Sequence, residues 1–359
     1  MRIELWKRLM HAKRRFPEAN LRFTRQILMK LLGVPWNRTI SALYSPATTD
    51  KVQIIGQVSE GITLRTASES LFGASLEHHF VPRHLFRIEG ALIDLSSGDV
   101  YMRSEIDGKW KLLAESSEWP IENRVQYARL PNDSSKHPKL RGVYANGILS
   151  TGFYHRLTEE IPTLLSISEK TKLIVRNRDQ EMLAQYGLFN FELVAERGFI
   201  EVETLEVISK GTDVGYIHPI NRRVLTNSTN LNLKIETFRR VYLSRRNLRR
   251  SIVNEEEVIN LVSSKGFEVL DPGTMSIQEQ IRFFSETKLV IAPHGGAITN
   301  LVYSNDASLL EILPLERVNR CFEWQSYICG HKYSALFYSQ KVGVDIVKLN
   351  DEIETLLSS

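Results

Sequence analysis

Cysteine is nearly missing from this chain: Cys321 and Cys329 are the two in 359 residues. Two thiols build no disulfide framework, and the expectation is a pair of free cysteines in a reducing compartment. His331 stands close by, but the spacings of a zinc site are lacking. No run of 18 or more apolar residues occurs, so no membrane-crossing helix is expected. Arg2, Glu4, Lys7 and Arg8 interrupt the first apolar residues, and no signal-peptide core is expected there. The sequence also has no Asp-x-Asp, no P-loop and no G-x-G-x-x-G fingerprint. P-loop phosphate hydrolysis and nicotinamide binding therefore find no support. Without an Asp-x-Asp, a divalent cation lacks its usual carboxylates.

What is present is an ordinary globular composition, 42% apolar and 25% charged, long enough for two domains or one large one. Charge is unevenly spread. Residues 1–30 hold nine Lys and Arg against two acids, a net of +7. The remainder has 37 basic and 40 acidic residues, a net of −3, so no broad basic surface for nucleic acid is expected. Residues 1–35 interleave the basic side chains with Leu5, Trp6, Leu9, Phe16, Phe23 and Ile27. Such a segment suits an anionic lipid surface, or equally a solvated helix packed on its own domain.

Residues 40–150 read as short strands and turns, among them 52–55, 91–95 and 100–103. Further on, 172–176 reads as a strand and 179–186 as a helix. A Gly-, Asn-, Thr- and Ser-rich stretch over 211–233 is the expected linker. Domains are therefore placed at 36–220 and 221–359, with a last helix able to pack back on the first of them. After the linker, 241–245 is a strand. Asn254 caps a helix that Gly266 ends, and 267–270 is the next strand. Ser276 and Glu279 form a capping box for a helix to about residue 287. A strand over 289–292, a helix over 297–303 and a strand over 309–313 complete a β-α-β alternation, which predicts a parallel, doubly wound sheet.

Four clusters bear chemistry. His294-Gly295-Gly296-Ala297-Ile298-Thr299-Asn300 joins a strand to a helix, where the backbone can approach a ligand and free N–H groups face an anion. Six arginines (239, 240, 245, 246, 249 and 250) crowd twelve residues with no acid between them. They are expected on the same rim as His294, where Arg245 and Arg250 suit phosphate groups. Such a run is otherwise a solvated face. In Tyr154-His155-Arg156-Leu157-Thr158-Glu159-Glu160-Ile161-Pro162, helical spacing puts Leu157, Ile161, Leu164, Leu165 and Ser168 on one face. His155 and Glu159 then share the opposite one, as an acid–base pair or as a plain helix pair. Glu311, at the end of the last strand, suits either a ribose diol or a structural partner.

Taken together and in this order, these segments resemble glycosyltransferase family 61, including its bacterial capsular-polysaccharide members. The likeness runs over about residues 145–340. It rests on Tyr154-His155 with Glu159 and Pro162, on Tyr242-Leu243-Ser244-Arg245 with Arg250, Asn254 and Glu255, on Gln280, on His294–Asn300 and on Glu311. The chain departs from the family at Arg156, where an aromatic is usual, and in reading Gly-Gly-Ala for Gly-Ala-Gly after His294. The resemblance implies an α/β fold of GT-B type, with two Rossmann-like domains facing a cleft. It implies inverting, metal-independent transfer of a sugar from a nucleotide-sugar donor to a glycan or lipid-linked glycan acceptor in capsular or exopolysaccharide biosynthesis, with no cofactor. His155 and Glu159 are then the catalytic candidates, either of them the base. Arg245, Arg250, His294, Gly295, Gly296, Ala297, Thr299, Asn300 and Glu311 are the donor-binding candidates, and no metal ligand is expected. The alternatives are a pyruvyl transferase acting on glycans and a non-catalytic glycan-binding scaffold. The expected location is the cytoplasm, peripheral on the inner face of the plasma membrane through residues 1–30.

Overall fold

The computed structural model describes residues 52–66, 76–80, 82–95, 98–103, 110–113, 135–136, 140, 142–144, 152–167, 172–195, 197–209, 215–229, 236–246 and 251–358. The basic segment over residues 1–35, Arg249 and Arg250 lie outside them.

The fold is α/β, with its strands in two main sheets. The first sheet contains β1 (Val52–Ser59), β4 (Arg83–Asp94), β5 (Val100–Arg103), β6 (Trp110–Leu112), β7 (Ser135–Lys136), β8 (Val143–Tyr144), β9 (Leu173–Arg176), β10 (Phe191–Val194) and β11 (Phe199–Ile208). A separate hairpin pairs β2 (Ile62–Arg65) with β3 (Glu77–Phe80). β4 and β11 are the long central pair: Ile93 faces Ile200, Ala91 faces Val202 and Ile88 faces Leu205. All six are buried in one apolar cluster with Val100 and Met102. The order is β10-β9-β8-β11-β4-β5-β6. Strands β10, β9, β8 and β11 are mutually parallel, whereas β1, β4, β5 and β6 are antiparallel. The doubly wound parallel form implied for both halves thus covers only part of this sheet. Connections as short as residues 95–99, between β4 and β5, admit only an antiparallel return.

The second sheet matches the expectation of a parallel, doubly wound core. Its strands are β12 (Arg239–Leu243), β13 (Glu268–Leu270), β14 (Thr287–Pro293), β15 (Ser308–Pro314) and β16 (Lys332–Tyr338), all parallel in the order β13-β12-β14-β15-β16. Every residue of β15 is buried, as in a strand covered on both faces. The helices of this chain are α1 (Phe153–His155), α2 (Ile161–Leu165), α3 (Gln180–Ala184), α4 (Pro219–Ser228), α5 (Glu255–Ser264), α6 (Ile277–Ser285), α7 (Cys321–Cys329) and α8 (Ile346–Ser358), among the described residues. Helix α4 lies inside the stretch expected as a linker, because Leu225 buries an apolar side chain there. The capping box of Ser276 and Glu279 forms as the spacing requires. Gly266, at φ 79°, supplies the left-handed residue after α5.

Three expectations change. The segment Gly296–Tyr303 is a 3-10 helix rather than an α-helix, with residues 298–303 buried all round. Among the described residues the last helix packs within the second half rather than on the first: Leu349, Ile353 and Leu356 of α8 pack with Tyr242, Val258 and Ile312. Asn254 stands at the N-cap of α5, but its side chain makes no capping bond. Instead it accepts from Val344 N at 2.8 Å and donates to Val344 O at 2.9 Å, fastening α5 to the loop before α8. A side-chain amide that can satisfy both backbone groups of one residue makes two bonds where a cap would make one.

Both halves share one core. Leu157, Ile161 and Leu164 join Val241, Val290, Ile298 and the fully buried Trp324 in a single apolar cluster. The Trp324 indole donates to Ile217 O at 2.9 Å.

We expect Asn254→Ala to lower stability by about 1–3 kcal/mol, the cost of two unpaired, half-buried backbone groups. The urea midpoint measures it, and an unchanged midpoint would refute the tie between α5 and Val344.

Candidate active site

The strand order of the second sheet reverses between β12 and β14, and a ligand crevice is expected beyond the strand ends at such a point. Arg245 follows the end of β12 and His294 follows the end of β14. The Arg245 guanidinium donates to His294 O at 3.2 Å. It lies against Gly295, where a Cβ would sit 1.6 Å from its Nη1. Gly295 is therefore glycine for space, not for backbone angle. Glu255, buried at the start of α5, holds the other side of Arg245: its Oε1 accepts from Arg245 N at 2.7 Å, Ser244 Oγ at 3.0 Å and Tyr242 OH at 3.2 Å.

The His294 ring bonds through Nδ1 to Glu311 Oε1 at 2.5 Å. Tyr333 OH donates to Glu311 Oε2 at 2.7 Å. Glu311 is completely buried, with both oxygens engaged. A carboxylate taken up in this way is not placed for a ribose diol; it orients His294. Glu311 stands beside Ala335 in the β15–β16 register, two residues from Tyr333. Tyr333 had no local signal, because only the β15–β16 pairing brings it to Glu311.

The arginine run divides. Arg240 and Arg239 begin β12, at the opposite end of the strand from Arg245. Arg239 pairs with Glu286 at 2.8 Å and Glu268 at 3.1 Å and lies over the Phe283 ring. Arg246 pairs with Glu256 at 3.0 Å on the surface. A five-residue strand separates the two ends of the run, so a dense sequence cluster need not be a spatial one. Among the described arginines of the run, Arg245 alone reaches the cleft.

On the other side, α1 runs into a π-helical turn, Arg156–Glu160, and then into α2. Of the predicted face, Leu157, Ile161 and Leu164 are buried and Leu165 is half-buried, while Ser168 lies outside the described residues. His155 Nδ1 meets Glu159 Oε1 at 3.0 Å, with about a quarter of each side chain exposed. The same oxygen accepts from Gly215 N at 2.9 Å, and Tyr154 OH donates to Gly215 O at 2.7 Å. Gly215 sits at φ 94°, which a residue with a side chain would resist. With Nδ1–H given to the carboxylate, Nε2 is the lone-pair nitrogen. Arg156, where the sequence departs from an aromatic, pairs with buried Asp179 at 3.2 Å and does not line the cleft.

Both groups face one cleft of about 750 Å³. His155, Tyr154 and Gly215 line it from one side, and Arg245, His294 and Gly295 from the other. The Phe322 ring lies between, in edge contact with Tyr154 at 5.4 Å and with His294 at 5.3 Å. Gly296, Ala297 and Asn300 also line it, but Thr299 does not and is fully buried. In a 3-10 helix residues three apart share a side, as Ala297 and Asn300 do here. Asn300 donates to Gln280 Oε1 at 2.8 Å, joining two buried amides beside the loop. The loop of Asp271 to Thr274 and the pair Arg317 and Asn319 also line it, and no local pattern pointed to them.

Both cysteines are free and buried. Burial, with Glu311 next, pushes the Cys321 thiol well above its ordinary value, and burial pushes Cys329 up to about 12. His331 accepts from Ala307 N at 3.1 Å and bonds Leu301 O at 2.8 Å, and burial lowers it to about 4. It is a neutral core histidine. Among the described residues no three metal-ligating side chains group together.

Gly295→Val should displace the Arg245 guanidinium, and His294→Ala should remove the group that Glu311 orients. We expect both to abolish binding of a nucleotide-sugar donor while the fold stays largely intact, with His294→Ala lowering the melting temperature because it leaves the buried Glu311 short of a partner. Calorimetric titration decides, and unchanged affinity in both variants would sink the assignment.

No curated protein matches the chain. Residues 153–310 match the sequence model of the family described as Glycosyltransferase 61, a span that includes His155, Glu159, Arg245 and the whole His294–Asn300 loop. The match supports family 61 and, with it, glycosyltransferase activity for this chain.

Proposed function

We propose that the chain is an inverting glycosyltransferase that moves a sugar from a nucleotide-sugar donor to a glycan or lipid-linked glycan acceptor in capsular or exopolysaccharide biosynthesis. One observation carries the reading: a single cleft has a His–carboxylate pair on each side, with Arg245 at the strand ends between β12 and β14. In this reading the second half holds the donor and the first half the acceptor, in a GT-B-like arrangement divided near residue 220.

The chemistry follows from the two pairs. Glu159 accepts from His155 Nδ1–H, so His155 Nε2 takes the proton of the acceptor hydroxyl. That oxygen attacks the anomeric carbon from the face opposite the leaving group. The bond from the anomeric carbon to the phosphate oxygen breaks, its electron pair stays on the diphosphate, and the configuration inverts. Arg245, His294 and the N–H groups at the start of the 3-10 helix lie where the leaving charge develops. Arg250 and a cation-independent route belong to the same proposal. It is supported by the arginine at the strand end and by the lack of Asp-x-Asp in the sequence.

Hydrolysis of nucleoside-diphosphate sugars, after a thermal-shift screen for the donor, tests this reading. We expect His155→Ala and Glu159→Gln each to lower turnover by roughly 10²-fold or more, the usual size of a lost general base, at nearly constant donor affinity. Activity should survive EDTA. Wild-type rates in both variants would place the base elsewhere, and complete loss on chelation restored by Mn²⁺ would assign the charge to a metal.

We further propose that residues 1–30 hold the enzyme at the inner membrane surface. Their net charge of +7 supports this, at about 1 kcal/mol for each basic residue near an anionic leaflet. A chain lacking them should lose sedimentation with anionic liposomes; equal sedimentation of the two forms would refute the proposal.

A further inference from the structure

The turn that bears His155 and Glu159 contains a defect by sequence. Pro162 has no N–H, so the Thr158 carbonyl, four residues back, loses its helical donor. The structure replaces it: Asn221 Nδ2 from α4 donates to Thr158 O at 2.7 Å. The next carbonyl, Glu159 O, accepts from the Thr163 hydroxyl at 2.5 Å. One guanidinium joins these two side-chain bonds. Arg83, at the start of β4, donates to Asn221 Oδ1 at 2.7 Å and to Thr163 Oγ1, with its Nε on Ser59 Oγ at 3.2 Å. Arg83 is 6% exposed, and it lies outside the stretch that matches the family.

We infer that Arg83 is a positioning residue for the His155–Glu159 pair: it locks the π-helical turn through Thr163 and Asn221 and supplies the counter-charge for Glu159. This rests on the proposed role of that pair. No carboxylate lies within ion-pair distance of Arg83 among the described residues, so the guanidinium is buried with neutral partners. Burial lowers it to about 10, and the charge of Glu159 works against that fall. Arg83 also faces His218, which burial and then Arg83 lower to about 4. Glu159 is faced in turn by His155, Tyr154 and Cys321. Neither of the last two is charged near neutral pH, since burial raises both. Arg83 is thus the fixed cation of this group. Lysine can restore the charge but not the two-sided bridge, because a guanidinium presents several donors in a rigid fork.

The test compares Arg83→Met, Arg83→Lys and His155→Ala. The first readout is the NMR titration of the His155 ring, assigned by its loss in His155→Ala, and it needs no substrate. Removing a nearby cation makes a protonated imidazole easier to form. We therefore expect the His155 midpoint to rise by about half a pH unit or more in Arg83→Met and to stay in place in Arg83→Lys. The second readout is donor hydrolysis: turnover should fall roughly tenfold or more in both Arg83 variants, with donor affinity unchanged. An unmoved midpoint in Arg83→Met overturns the inference, as does wild-type turnover in Arg83→Lys, a variant that keeps the charge should Arg83→Met not fold. If His155→Ala itself turns over normally, the proposed base is wrong, and the titration still judges Arg83 by itself.

Discussion

The contact on which the site depends is the seat of the Arg245 side chain on the bare Cα of Gly295. It joins the ends of β12 and β14 across the point where the sheet order reverses, and it closes a distance that no side chain at 295 would permit. The position of His294 follows from it, because the His294 carbonyl is one of the groups the guanidinium holds. Glu255 then holds the Arg245 backbone N–H from behind, with the Ser244 and Tyr242 hydroxyls on the same carboxylate oxygen.

The two histidines are held by the same device under different conditions. Each gives one ring nitrogen to a carboxylate, which settles the tautomer and leaves the other nitrogen for chemistry. Glu311 is sealed in the core and shared with Tyr333, while Glu159 is partly open and shared with a backbone N–H. The sealed pair is suited to holding a constant geometry against a ligand. The open pair is suited to exchanging a proton. Tyr154 and His294 both meet the Phe322 ring in edge contact, so an aromatic ring links the two sides of the cleft.

Local signals in the sequence were legible where they had a local cause. The capping box at Ser276, the glycine after α5, the buried stripe of Leu157, Ile161 and Leu164, and the strand–loop–helix around His294 each follow from a few neighbouring residues. What stayed hidden is decided by pairing between distant segments. Asn254 reads as a cap until Val344 offers it two bonds. Arg239 reads as part of the arginine rim around His294 until Glu268 and Glu286 claim it. Helix α7 gave no amphipathic period because it is buried nearly all round. Tyr333 and Arg83 reach the site through sheet register and strand position, which no local pattern encodes.

The shared core has a consequence for how such a chain can be cut. The stretch that matches the family ends at residue 310, in the middle of β15, and begins at 153, after β1, β4 and the other early strands of the first sheet. Excised at those limits, it would leave β14 without the far part of its neighbour and strip Trp324 from the cluster built around Leu157 and Ile298. The recognisable unit of this chain is therefore smaller than its folding unit. Inherited likeness follows the residues around the cleft, whereas autonomy requires the strands that flank them on both sides.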